Sequence, residues 1–150
     1  MSDMAELLPH SGIIREGEHI LPLRIYYEDT DAGGVVYHAN YLKYMERGRS
    51  DMLRLLGLDQ EKMLKFREAD DIKFVIIRTE VDYVKPARLN DEITVRSRIS
   101  GLGRASLVME QEICRSGDIL ARGVIRVAAL GEQGKPVRLP KKIIQKFTKE

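Results

Sequence analysis

Apolar and polar residues change period twice along the chain. From His19 to Tyr27 the pattern is that of a β-strand, and it runs into Asp29-Thr30-Asp31-Ala32-Gly33-Gly34, where paired glycines permit positive φ and close backbone approach. The period then lengthens. Tyr41, Met45, Gly48, Met52 and Leu55 recur at four-three spacing, one apolar face of a helix, with Asn40 suited to its N-cap and Gly57 to its C-terminal stop. A glycine at position 48, inside the helix, is unfavourable by about 1 kcal/mol relative to alanine, so that face is expected to pack tightly against a sheet or a partner.

Beyond the helix the period of two returns. Phe74 to Val84, Glu92 to Ser100, Ala105 to Arg115 and Leu120 to Leu130 are rich in β-branched residues and separated by turn chemistry at Pro86, Asn90, Gly101, Gly103 and Ser116-Gly117-Asp118. Connections this short exclude parallel crossovers between neighbours, so the sheet is expected to be antiparallel. One helix on a long antiparallel sheet is an α+β domain in which the sheet wraps the helix. Such a sheet leaves edges to cover, and pairing of like edges across a two-fold axis covers them. Residues 1–18 carry no sustained period and read as a loose lead-in, in which Leu7, Ile13 and Ile14 can dock. The domain is expected over residues 19–142, and a short helix after Pro140 closes the chain, residues 143–150 being its end or a tail.

The chain has 150 residues, enough for one domain with a real core, and its 43% hydrophobic and 32% charged residues are the balance of a soluble protein. No apolar run approaches a membrane span, and Met1 to His10 lack the features of a secretory signal, so the protein is expected to be cytoplasmic. A net charge of +2 with interspersed signs argues against a nucleic-acid binder. The lone Cys114 cannot form an internal disulfide and lies in a strand, where it reads as a structural thiol.

The candidate chemistry lies between the first strand and the helix. Acidic groups on a glycine-bearing loop stand immediately before a helix N-terminus, whose unpaired amides can stabilise a developing oxyanion while a carboxylate attacks a carbonyl or activates water. Asp29 and Asp31 have an equally simple reading as turn and capping residues. The acidic spacing matches no calcium loop and the three histidines are scattered, so no metal is expected. The nucleophile elbow, the phosphate loop, the dinucleotide fingerprint and the paired-histidine zinc motif are all missing.

The run Tyr27-Glu28-Asp29-Thr30-Asp31-Ala32-Gly33-Gly34-Val35-Val36-Tyr37-His38-Ala39-Asn40-Tyr41, followed by Met45-Glu46-Arg47, closely resembles the YbgC-type branch of the 4-hydroxybenzoyl-CoA thioesterase family. The likeness extends through Tyr83 to Asp91 and Gly103 to Val108, covering roughly residues 19–142 in order. The resemblance implies a hot-dog fold and hydrolysis of acyl-CoA thioesters without metal or redox cofactor, with acyl-carrier-protein thioesters as a second substrate. It implies that Asp31 is the catalytic carboxylate, as nucleophile or general base, with Asp29 supporting the loop. His38 would polarise the thioester carbonyl through its amide or assist with its ring, while Gly34, Arg104 and Ser106 would contact substrate. Gly103-Arg104-Ala105 stands where relatives carry a basic run, so Arg104 reads equally as a solvated turn residue. Another branch carries its carboxylate on the helix, where Glu46 lies here, although Glu46 can also pair with Arg49 or Ser50. The resemblance further implies a homodimer assembling into a tetramer, active sites at the dimer interface, and association with the Tol-Pal cell-envelope system. The rival reading is a non-catalytic acyl-binding or scaffold protein. Val75, Ile77 and the loop from Leu58 to Asp70 are expected to shape the acyl pocket.

Overall fold

The computed structural model describes residues 7–58 and 72–148. Strands β1 (Ile13–Arg15) and β2 (Glu18–Arg24) form a hairpin. A 3-10 turn (Tyr27–Asp29), helix α1 (Asn40–Leu55), strands β3 (Lys73–Tyr83), β4 (Glu92–Leu102), β5 (Ser106–Arg115) and β6 (Asp118–Leu130), and helix α2 (Lys141–Thr148) follow. The six strands make one sheet in the order β1-β2-β4-β5-β6-β3, every pairing antiparallel. This is the α+β architecture expected from the change of period. The stretch read as a lead-in contributes β1, whose Ile13 and Ile14 stand opposite Ile20 and His19.

Helix α1 lies against the sheet through Tyr41, Tyr44, Met45, Gly48 and Met52, all buried. Gly48 answers the expectation of close approach: a Cβ there would stand 2.9 Å from Val95 Cγ1 and 3.3 Å from both Gln111 Nε2 and Ser97 Oγ. The helix axis can therefore settle onto β4 and β5 only because that position has no side chain. Leu55, read as the end of the stripe, is exposed, whereas Leu53 on the adjoining flank is buried. Gly57 takes a φ of +79° just past the helix, the left-handed stop that glycine accommodates best. Asn40 does not cap. The N-cap is Ala39 without a side-chain bond, and Asn40 Nδ2 instead donates to Asp29 O at 2.8 Å.

Two buried polar groups fix the helix on the sheet. Gln111 Nε2 donates to Met45 O and to Ser97 Oγ, at 2.9 and 2.8 Å, tying mid-helix to β4 and β5. On the opposite flank Asp51 accepts from Ser11 Oγ and Gly12 N and stands 2.8 Å from His19 Nε2. Burial alone would raise the Asp51 pKa, but the bonds from His19, Gly12 and Ser11 outweigh it and hold the carboxyl below its ordinary value.

The two sheet edges differ. β1 ends one side with three residues, while β3 ends the other with eleven, and Ile76 and Ile77 on it are 45% and 60% exposed. The ladder to β6 slips at Ile77, between the pairs Ile76–Val127 and Arg78–Arg126.

Candidate active site

The loop after β2 folds back on itself. Thr30 pairs with Val36, Asp31 N donates to Val35 O, and Gly34, at a φ of +80°, donates to Asp31 O. Positive φ strains any residue with a Cβ, which is the local reason for glycine there. The loop docks on the chain ahead of β4 through Val35–Arg88 pairing and a bond from Val36 N to Ala87 O. Tyr41, the second residue of α1, braces the same segment by accepting from Ala87 N at 2.9 Å.

Within this frame the two aspartates have different environments. Asp29 Oδ2 accepts from Tyr26 N, and its carbonyl accepts from Tyr37 N and Asn40 Nδ2, so it ties the loop to the helix start. Buried Tyr44 stands beneath it; its hydroxyl meets no partner in hydrogen-bonding geometry among the described residues, and burial, followed by the charge and close approach of the Asp29 carboxylate, pushes its pKa well up. Asp31 is exposed, and only its Oδ1 is engaged, by Gly33 N at 2.8 Å. Its other oxygen takes no hydrogen bond among the described residues. Asp31 therefore closes a small turn, as the simpler reading expected, and still presents a free carboxylate oxygen.

His38 follows at the helix start. Asn40, Tyr41 and Leu42 amides bond back to Tyr37, His38 and Ala39, which leaves the His38 and Ala39 amides without acceptors among the described residues. The exposed His38 ring lies 4.7 Å from the Tyr37 ring and edge-on to Tyr83 at 6.1 Å, and Tyr83 Oη donates to His38 O. Asp31, Gly34 and His38 thus share the loop that folds back before α1. Arg104 and Ser106 do not. The Asp31 loop docks just before Glu92, whereas both lie beyond Leu102, so β4 separates the groups by about 33 Å at 3.3 Å per residue. Arg104 lies in the β4–β5 turn and Ser106 opens β5, where its carbonyl accepts from Gly103 N.

A model of the thioesterase superfamily matches residues 33–121. The chain is 40% identical over 128 residues to the acyl-CoA thioesterase YbgC of Haemophilus influenzae, covering 84% of this chain and 91% of that one. It is 39% identical to the Escherichia coli acyl-CoA thioester hydrolase YbgC, with 84% and 92% covered. The chain belongs to the thioesterase superfamily. A solved structure described as a probable thioesterase from Bartonella henselae superposes with a TM-score of 0.77 at 38% identity, covering 82% of this chain and 99% of that one. The hot-dog fold and the likeness to YbgC proteins are thereby borne out.

On this thioesterase scaffold a cavity of about 240 Å³ opens beside the C-terminal half of α1. Phe74 and Ile76 of β3 line it, in place of the expected Val75 and Ile77, because alternation sends those to the other face. Of the expected pocket loop, residues 59–70 fall outside the described residues. Glu46 lies at the cavity with its Oε2 accepting from Ser50 Oγ, while Arg49 donates to Gln111 Oε1 at 2.9 Å. Among the described residues no group of three or more His, Cys, Asp or Glu side chains is set to hold a metal ion, and no helix is long and apolar enough to cross a membrane. Tyr83 and Arg49 are the site residues that sequence reasoning missed. Tyr83 lay within the segment of resemblance but carried no motif role, and Arg49 entered only as a pairing partner for Glu46.

Proposed function

We propose that the protein hydrolyses acyl-CoA thioesters to free acid and CoA, with Asp31 as the catalytic carboxylate. The observation that carries the reading is the free Asp31 oxygen on a loop tied to a helix start with two unoccupied amides. Those amides are suited to donate to the thioester oxygen as it gains charge. Asp31 then either takes a proton from water, which adds to the carbonyl, or adds itself to give an anhydride that water opens. In both routes the C–S bond breaks and water is consumed: in the first, the proton Asp31 took from water passes to the departing thiolate, and in the second the thiolate leaves as the anhydride forms and takes its proton from solvent, after which water opens the anhydride to free acid and the Asp31 carboxylate. The names of the YbgC relatives support the same activity.

The reading extends to a dimer through β3. A long, apolar, unpaired edge strand invites pairing, and β1 is too short to offer the same surface. Antiparallel pairing of two β3 edges sets the Lys73 end of each beside the Tyr83 end of the other. The Tyr83 end carries His38 and the Asp31 loop; the Lys73 end carries the cavity and, through β6 and β5, the Ser106 turn. Asp31 and Arg104, remote within one protomer, are neighbours in such a dimer. Arg104 and Ser106 then serve as contacts for the CoA phosphates.

Thiol release from short, long and aromatic acyl-CoAs and an acyl-carrier-protein thioester is the experiment. Turnover of at least one class, falling about a hundredfold or more in Asp31→Asn, is expected for loss of a base or nucleophile. No release above the variant's background would leave a non-catalytic acyl-binding protein.

A further inference from the structure

The cavity beside α1 is apolar on the sheet side, where Phe74, Ile76, Leu107, Met109 and Val127 face it. One wall is different. Arg49 is half-buried there and has no carboxylate within ion-pair distance among the described residues, although charges withdrawn from water are ordinarily paired. The nearest acid on its helix, Glu46, bonds to Ser50 instead. Burial pulls the Arg49 pKa below its ordinary value even though the nearby Glu46 charge opposes the shift, so the cation is only partly compensated.

The arm of Arg49 is also held. Gln111 is fully buried and spends both amide hydrogens on Met45 O and Ser97 Oγ, which turns its Oε1 toward Arg49 Nη1. That contact uses one of the five guanidinium donors, leaving others available to the cavity. The polar wall also carries Glu46 and Ser50, but these are spent on each other, so an apolar pocket with Arg49 as its fixed donor recognises a chain that is hydrocarbon along its length and carries an acceptor at its end. The volume, about 240 Å³, exceeds the roughly 150 Å³ of a cavity that holds benzene, so a ring or a medium chain fits.

We propose that this cavity receives the far end of the acyl group and that Arg49, positioned by Gln111, selects acyl groups bearing an oxygen there, as a hydroxyl or a carboxylate. The proposal rests on the thioesterase reading for its substrate and on β3 pairing to bring the partner subunit's Asp31 loop to the cavity, but binding alone tests it. Octanoyl-CoA, its 8-hydroxy analogue and the ω-carboxy analogue are titrated calorimetrically into Asp31→Asn protein, which cannot turn them over, with and without Arg49→Met. At least one oxygenated chain is expected to bind about ten- to a hundredfold tighter than octanoyl-CoA, the size of a charge-assisted hydrogen bond. Arg49→Met should abolish that preference while octanoyl-CoA affinity stays within about twofold. Tighter binding of the carboxy analogue than of the hydroxy one assigns an anion; equal tightening assigns a neutral acceptor.

If Arg49→Met lowers the melting temperature, Arg49→Lys decides, because one ammonium cannot hold Gln111 and reach the ligand as the fork does. The preference should then shrink at an unchanged melting temperature. Equal affinities for all three chains, no binding of any, or a uniform loss in the Arg49 variants would overturn the proposal. A clear binding preference in a protein whose wild type releases no thiol would uphold the cavity's role and remove the thioesterase reading.

Discussion

Single residues decide how closely α1 meets the sheet and what the loop before it presents. Gly48 was legible as a close approach because nothing else justifies glycine in the middle of a helix. An alanine there gains about 1 kcal/mol of helix propensity but forces its Cβ to 2.9 Å from Val95 Cγ1, which is short and branched and cannot swing away. Overpacking of this kind costs about 1–3 kcal/mol, so Gly48→Ala is expected to lower stability by about 1 kcal/mol in denaturant titration. An increase would mean that helix and sheet separate easily. The motif residues Asp31, Gly34 and His38 were equally legible, since one local run of sequence holds all three. Asn40 misled because its side chain meets Asp29 O before it can cap. Arg49 and Gln111 were opaque, being 62 residues apart in sequence.

Among elements, the helix and the four later strands follow directly from periodicity, and their observed ends differ from the reading by a residue or two. β1 did not announce itself. Three residues are too few for a period; they are held by pairing with β2, and the chain just ahead of them is anchored at Ser11 and Gly12 by Asp51, which reads in sequence as one more polar position on a helix. With the Asp51 pKa held below its ordinary value, folding is stabilised by its ionised form above the unfolded pKa of about 3.9, and that contribution is lost as pH falls through the folded value. Stability should therefore drop below about pH 4, and Asp51→Asn should flatten that part of the profile while lowering stability at pH 7. Melting curves from pH 2.5 to 7 check this. An unchanged acid limb in the variant would shift the effect to other groups such as Asp91, which the Arg88 amide and Arg115 also hold low against the opposing effect of burial.

At the scale of the whole molecule, sequence suggested edge pairing without saying which edge. The structure distinguishes them by length and apolar exposure, and β3 has both. A charge at Ile77, the slipped and 60% exposed residue of that strand, is expected to oppose self-pairing. Wild type should sediment as a dimer or its multiple and Ile77→Lys as a 17.1 kDa monomer, with thiol release falling alongside. A monomeric wild type that remains active would mean that one protomer suffices.

The division of labour between the two aspartates is the centre of the account, and paired substitutions test it directly. Asparagine keeps the acceptor that Gly33 N uses at position 31 and the one that Tyr26 N uses at position 29, so neither loop contact need break. Thiol release and melting temperature are measured side by side for Asp31→Asn and Asp29→Asn. The account predicts a loss of about a hundredfold or more for Asp31→Asn, less than about tenfold for Asp29→Asn, and little change in melting for either. Equal losses, or the larger loss at Asp29, would contradict it.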